Sequence, residues 1–361
     1  MSTKASKLYV ILAADTEDNH PNYVPGWWRF GSDYDTDPPR LRFDWTKHVE
    51  MLWDCFEFDD MRFKVSWFIR SDPAVSDRCM HAMNTLIDRA RNAKDELAIH
   101  IHTLRRDNHS KWVQCLRQDD CKAVVSESLD LFKEYMGTIP ESTRMGWNFM
   151  SNSTMQQLET RGVLYDASCI PGMHSQLMYG RRDNFYDWSK APSSPFNPSY
   201  QDYQVPGTMK ILEIPVTTYP YKNRNASARN VFPRWMKAVS SLRHVTSVGA
   251  TVSQFPLLSP ARRLLLGNDF LIFSAWRSNA DLDNLLLSKL SESRLNGWSY
   301  ILGCFHPCEV MDPISGKPNL SYLRNLRFAL HRITALKDEI DVVPVSVCEF
   351  GRAYQRGSLR E

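Results

Sequence analysis

The chain of 361 residues predicts an α/β fold built from parallel strand–helix units, and three observations carry that expectation. Leu8–Ala14 is an uninterrupted apolar run, the mark of a strand buried on both faces. Strand-length apolar runs then alternate with stretches of helical spacing along most of the chain. Ionisable residues recur where those runs end, which is the usual mouth of an α/β site. The length suits one α/β barrel or two smaller domains. No repeat, linker or low-complexity segment divides it, so a single domain over 1–361 is expected, with loop insertions near 172–206 and 222–262.

The elements follow in order. Strand one, Leu8–Ala14, runs into Asp15-Thr16-Glu17-Asp18. Asn19–Arg40, rich in Pro, Gly, Trp and Asp, reads as a long irregular loop, and such loops are commonly functional. Its Trp27, Trp28 and Arg29 either line a cleft or lid the barrel end. Phe43–Phe56 has apolar residues at helical spacing (Trp45, Val49, Leu52, Trp53, Phe56). Arg62–Ile69 is the second strand, and Ala74–Ala93 a helix capped by Ser71 or Asp72. Leu97–Thr103 is a buried strand carrying His100 and His102. Lys122–Met136 is a helix, and Thr143–Trp147 a short strand with Arg144. Ser151–Arg161 is a helix with Ser151 or Asn152 at its N-cap and Gly162 as its stop, before a strand at Val163–Asp166.

Gly172–Pro206 breaks the rhythm and reads as a large loop or insertion. Met209–Val216 is another strand, and Lys222–Pro260 an appendage with one or two amphipathic helices around Val231–Val245. Strands at Asp269–Ala275 and Tyr300–Phe305 enclose a Leu-rich helix, Asp281–Arg294, and the second of them ends at His306. A helix at Asn319–Leu336, a strand at Val342–Val347 and a short helix complete the chain.

Composition narrows the function. With 43% hydrophobic and 24% charged residues the chain is ordinarily globular, and a net charge of +3 without a basic stripe argues against a nucleic-acid partner. The 11 Trp and 14 Tyr suit a core, or stacking on sugar rings. Eight scattered cysteines without a CxxC pair match no zinc-finger or thioredoxin pattern, so free thiols in a reducing compartment are expected. The first apolar run lacks a signal-peptide cleavage site, and no segment approaches a membrane span; a cytoplasmic location is the expectation.

Side chains at i and i+2 of a strand share a face, so His100 projects with His102 and Asp15 with Glu17. Taken singly these pairs also fit the wet face of an edge strand or solvated loop acids. If the strands are parallel neighbours, however, Asp15/Glu17, His100/His102, Arg144 and His306 converge on one rim. One carboxylate and two imidazoles leave an open position on zinc or a similar divalent ion. A second carboxylate could take a proton from water, a histidine opposite could protonate a leaving group, and an arginine would hold the base ionised. These are the parts of a metallohydrolase acting on an amide or ester.

The ordered motifs Asp15-x-Glu17, Glu96-Leu-Ala-Ile-His100-x-His102, Arg144-x-Gly-Trp147 and Gly303-Cys-Phe-His306-Pro307 together resemble the polysaccharide deacetylases of NodB-homology type. The segment Gln156–Asp166 with its following Ala-Ser, and Glu213-Ile-Pro215, add to the likeness, which runs from about Leu8 to Tyr354. The resemblance implies a distorted (β/α) barrel with about seven parallel strands and one divalent metal ion, with zinc expected. It implies Glu17, His100 and His102 as metal ligands and Asp15 as general base. Arg144 would orient Asp15, His306 would be the general acid, and Trp28 and Trp147 are candidates for substrate binding.

Two departures accompany it. The common pattern spaces its histidines four apart, whereas position 104 is Leu, leaving His102 or His109 as the second ligand; Asp18 competes with Glu17 for the acid. The aspartate–tryptophan motif of the later strands is not evident apart from Asp187-Trp188, and Asp166 is the candidate to tune His306. The implied function is removal of an N-acetyl or similar acyl group from an amino sugar or sugar-linked precursor in surface-polysaccharide biosynthesis. The alternatives are a metal-dependent amidase on a non-sugar amide, or a non-catalytic glycan-binding member.

Overall fold

The computed structural model describes residues 6–17, 44–58, 61–106, 112–115, 118–173, 186–220, 268–275, 279–312 and 315–360. The proposed appendage at 222–260, with Trp27, Trp28, Arg29, Asp18 and His109, lies outside these residues.

Strands β1 (Lys7–Thr16), β2 (Val65–Arg70), β3 (Glu96–Ile101), β4 (Ser142–Met145), β5 (Tyr165–Asp166), β6 (Leu212–Glu213), β7 (Trp298–Phe305) and β8 (Asp341–Pro344) form one eight-stranded sheet. The order is β6-β5-β4-β3-β2-β1-β7, and every pairing is parallel. β8 joins the first half of β1, from Lys7 to Val10, leaving Leu12–Thr16 to β2. The sheet curls until its edges meet. Just past β6, the Thr217 N–H donates to Leu302 O on β7 at 2.8 Å, and the Leu302 N–H returns a bond to Thr217 Oγ1 at 2.9 Å. This is the distorted (β/α) barrel expected, with seven strands on the main path and β8 as an eighth.

Hydrophobic burial explains the centre. All of Leu8–Ala14 is buried, because β1 has strands on both sides and helices over its face. Helix α1 (Val49–Phe56) turns Leu52, Trp53 and Phe56 inward, and Trp53 stacks on Trp67 of β2 with centroids 4.9 Å apart. Glu96, at the start of β3, marks the opposite end of the barrel from His100. It is clamped there by hydroxyls from Ser66 and Ser142 and the N–H of Cys348.

Several boundaries differ from expectation. The helix read over Ala74–Ala93 is two, α2 (Ser76–Ala82) and α3 (Asn84–Asn92). At Met83 the N–H is shared between the carbonyls of Cys79 and Met80, a tightened turn that separates them. Neither Ser71 nor Asp72 caps α2, whose N-cap is Val75; Asp72 is drawn instead to the side chain of Arg70. The strand read over Met209–Val216 keeps ladder geometry only at Leu212–Glu213, since the chain beyond Pro215 leaves β5 for β7. Helices α4 (Gln118–Met136), α5 (Asn152–Thr160), α6 (Asn279–Asn296), α7 (Leu320–Thr334) and α8 (Val347–Gln355) stand where periodicity placed them. Ser151 caps α5, Gly162 follows it at φ +88°, and Asn319 caps α7. The eight cysteines are thiols rather than disulfides.

Candidate metal and acid–base centre

Because the strands are parallel, their C-terminal ends open on one rim, and the side chains there converge. The Nε2 atoms of His100 and His102 lie 3.1 Å apart. Both face one carboxylate oxygen, Glu17 Oε1, at 3.4 Å from His100 and 3.0 Å from His102. All three residues are buried. Two ring nitrogens pointed at each other and at one oxygen satisfy few hydrogen bonds between them. The same three atoms suit ligands around one cation, and among the described residues they are the group that could hold a metal ion. The charge balance agrees: the buried carboxylates Asp15, Glu17 and Asp72 outnumber the two buried guanidiniums they pair with, Arg70 and Arg144, so a cation would offset net negative charge.

Asp15 stands beside this cluster. Arg144 Nε donates to both of its oxygens, at 2.8 and 3.0 Å, while Nη1 is held by Ala167 O at 2.5 Å and Nη2 by Asn148 Oδ1 at 3.3 Å. The arginine is thus fixed at three corners. His306 Nε2 lies 3.8 Å from Asp15 Oδ2, and its Nδ1 is 4.0 Å from Glu309 Oε1. The side chain of His306 is 28% exposed, so it reaches solvent while Asp15, Arg144 and the Glu17–His100–His102 cluster are buried.

The electrostatics sort these groups by role. Burial pushes the Asp15 carboxyl up, but Arg144, His100 and His306 together hold it below its ordinary value. Burial likewise opposes ionisation of Glu17, and His102, His100 and Arg70 more than overcome it, holding it well below. Burial, aided by Arg70, pulls His102 down to about 4 against the opposing pull of Glu17. At neutral pH the cluster therefore presents a carboxylate with a neutral imidazole at His102, the forms that ligate metals.

The turn after Arg144 shapes the other wall. Trp147 and Asn148 adopt left-handed backbone, φ +54° and +56°, which costs energy in non-glycine residues and clusters at functional sites. It places Trp147 edge-on to His102, centroids 4.6 Å apart. Gly146 is required there, since a Cβ would lie 2.4 Å from the His102 ring.

No family model matches the sequence, and no curated protein matches it. Solved structures do. A Mycobacterium smegmatis protein assigned to the polysaccharide deacetylases aligns over 99% of this chain and 93% of its own, with a TM-score of 0.50 and 13% identity. A Pseudomonas aeruginosa PAO1 protein, likewise assigned, covers 98% and 92% at a TM-score of 0.46 and 9% identity. The chain has the polysaccharide deacetylase fold. At this identity the likeness speaks for the fold, and the chemistry has to be argued from the rim itself.

Of the residues singled out from the sequence, the polysaccharide deacetylase fold brings Asp15, Glu17, His100, His102, Arg144, His306 and Trp147 to one place, while Trp28 lies outside the described residues. His102 faces His100 and Glu17, and the alternative, His109, lies outside the described residues. Asp166 does not stand beside His306. It is hydrogen-bonded to Ser168 and paired with Glu213, and among the described residues Asp15 and Glu309 face His306. Asp187-Trp188 has a supporting place: the Trp188 indole donates to Asn148 O at 3.3 Å, behind the turn that carries Trp147. Sequence reasoning missed Arg70, Asn148 and Glu309, the pairing of Asp72 with Arg70, and that of Asp166 with Glu213. Arg70 had a visible signal, a charge closing an otherwise apolar strand, the same signal that marked Asp15.

Proposed function

We propose that this protein is a divalent-metal-dependent hydrolase that removes an N-acetyl or similar acyl group from an amino sugar or a sugar-linked precursor of surface polysaccharide. The observation carrying this reading is the pairing of two units on one buried rim: the Glu17–His100–His102 cluster, and the Asp15–Arg144 pair with His306 3.8 Å away on the solvent side. Glu17, His100 and His102 would hold the ion, read as zinc, and a bound ion there would supply Lewis acidity toward an acyl carbonyl and toward water. Asp15 accepts the proton of the attacking water. Its depressed pKa guarantees the ionised form but lowers the driving force of that transfer, and Arg144 fixes the carboxylate's direction. His306, reaching solvent, delivers a proton to the departing amine nitrogen. Trp147, half-buried beside His102, forms a wall for the sugar ring.

The test is acetate release from a panel of N-acetylated sugar nucleotides by the metal-loaded protein, with and without chelator. Chelator-sensitive release from one or more sugars supports the proposal. Turnover of non-sugar amides alone would move the substrate class while keeping the chemistry. Absence of bound metal in the purified, zinc-supplemented protein would overturn it.

A further inference from the structure

We propose that Arg70 is a positioning residue for Glu17, and that it restricts this carboxylate to a single oxygen in the ligand cluster. The inference rests on the metal-site reading above and extends it to a residue outside the ligand set.

Arg70, Arg144 and the histidine between them form one row. Arg70 on β2 is in register with His100 on β3, and His100 with Arg144 on β4. Each arginine of the row takes one acid from β1 and the residue after it. Arg144 holds Asp15, and Arg70 Nη1 donates to Glu17 Oε2 at 3.4 Å. Glu17 is therefore divided: Oε2 faces the guanidinium, and only Oε1 faces the two histidines. Arg70 is completely buried, and its own orientation is set by Asp72, whose Oδ2 accepts from Nε at 2.6 Å. Asp72 in turn is tethered through Oδ1 to the N–H of Ala74 at 3.2 Å. The planar guanidinium suits this task because two of its N–H groups diverge toward two different carboxylates, which one ammonium cannot reproduce. A carboxylate free to swing can bring both oxygens to a metal, which raises the coordination number and favours ions such as manganese over zinc. Reserving Oε2 keeps the donor set at two nitrogens and one oxygen, the low-coordinate set that suits zinc and leaves room for water.

The test uses the full-length protein loaded with cobalt(II), whose visible absorption is intense at four-coordinate sites and weak at higher coordination. Zinc and manganese affinities are measured by competition with a chelating dye. The variants are Arg70→Met and the double variant Arg70→Met with Asp72→Asn. The double variant removes the Asp72 charge together with Arg70, so that Asp72 is not left as an unpaired buried carboxylate. Circular dichroism checks folding of each. Wild type is expected to show the intense band. In the folded variants the band weakens, zinc binds about 10- to 100-fold more weakly, the usual effect of losing a residue that orients a ligand, and manganese loses less. A folded double variant with the wild-type cobalt spectrum and an unchanged zinc-to-manganese preference overturns the role of Arg70 alone. Wild-type protein that binds none of the three ions overturns the metal-site reading beneath it.

Discussion

Replacing Arg144 by methionine tests whether the Asp15–Arg144 pair is the buried unit that the proposed chemistry needs. Arg144 is 3% exposed and Asp15 5%, and two N–H···O contacts of 2.8 and 3.0 Å join them. Removing one member of a buried pair strands the other charge and costs about 3–5 kcal/mol, whereas an exposed pair is worth about 0–1 kcal/mol. The two cases are separable by urea denaturation at pH 7.5. The pH dependence has a definite sign. In the native protein the Asp15 pKa lies below its ordinary value of 3.8, so the stability it contributes is complete above that pH and lost as pH falls through the native pKa. In Arg144→Met burial is no longer outweighed by the guanidinium, and the pKa rises. The stranded charge is then relieved by protonation as pH falls, and the deficit relative to wild type narrows from pH 7.5 to pH 5. The double variant Arg144→Met with Asp15→Asn should lose less than Arg144→Met alone, because both charges leave together. A deficit below about 1 kcal/mol at pH 7.5, in the range of exposed pairs, would refute the reasoning.

Other expectations follow from the same rim. His100→Ala and His102→Ala should each lose stoichiometric metal by elemental analysis while keeping the far-ultraviolet circular dichroism of wild type; His306→Ala should keep the metal and lose about 10²–10⁴-fold in kcat for acetate release. Gly146→Ala would set a methyl 2.4 Å from the His102 ring, so overpacking should cost about 1–3 kcal/mol in urea denaturation and weaken metal binding by competition assay. Burial raises the Asp166 pKa, and burial with its neighbour Asp166 raises that of Glu213 well above 4.5, which favours a proton kept by the pair in the native state. Its stability is complete below the unfolded value and declines as pH rises. Glu213→Gln, which keeps a donor toward Asp166, should therefore gain on wild type as pH increases from 5 to 8, and parallel stability curves would contradict the shared proton.

Periodicity and strand-end chemistry made much of the architecture legible. An apolar run such as Leu8–Ala14 reports burial on both faces, and an i, i+2 pair such as His100/His102 reports a shared side. Both are consequences of local backbone geometry that hold whatever the neighbours are. The recurrence of Asp15, His100, Arg144 and His306 at strand ends likewise marked a rim. What local pattern cannot encode is which strand lies beside which. Only the sheet order puts β1 between β2 and β7, so that Asp15 meets a histidine from the far end of the chain and Glu17 meets Arg70. The same holds for charged groups with competing partners. Asp72 reads as a helix cap from its position, but a buried guanidinium binds a carboxylate more strongly than an N–H at a helix start does, and the structure places it on Arg70. Asp166 reads as a neighbour of His306 from its strand end, yet the adjacent strand offers Glu213, and the two carboxyls pair there instead. The sequence alone determined the parallel α/β class, the rim and the residue types on it. The tertiary structure decided which acid faces which cation, because burial makes an ion pair depend on the single neighbour within reach rather than on solvent.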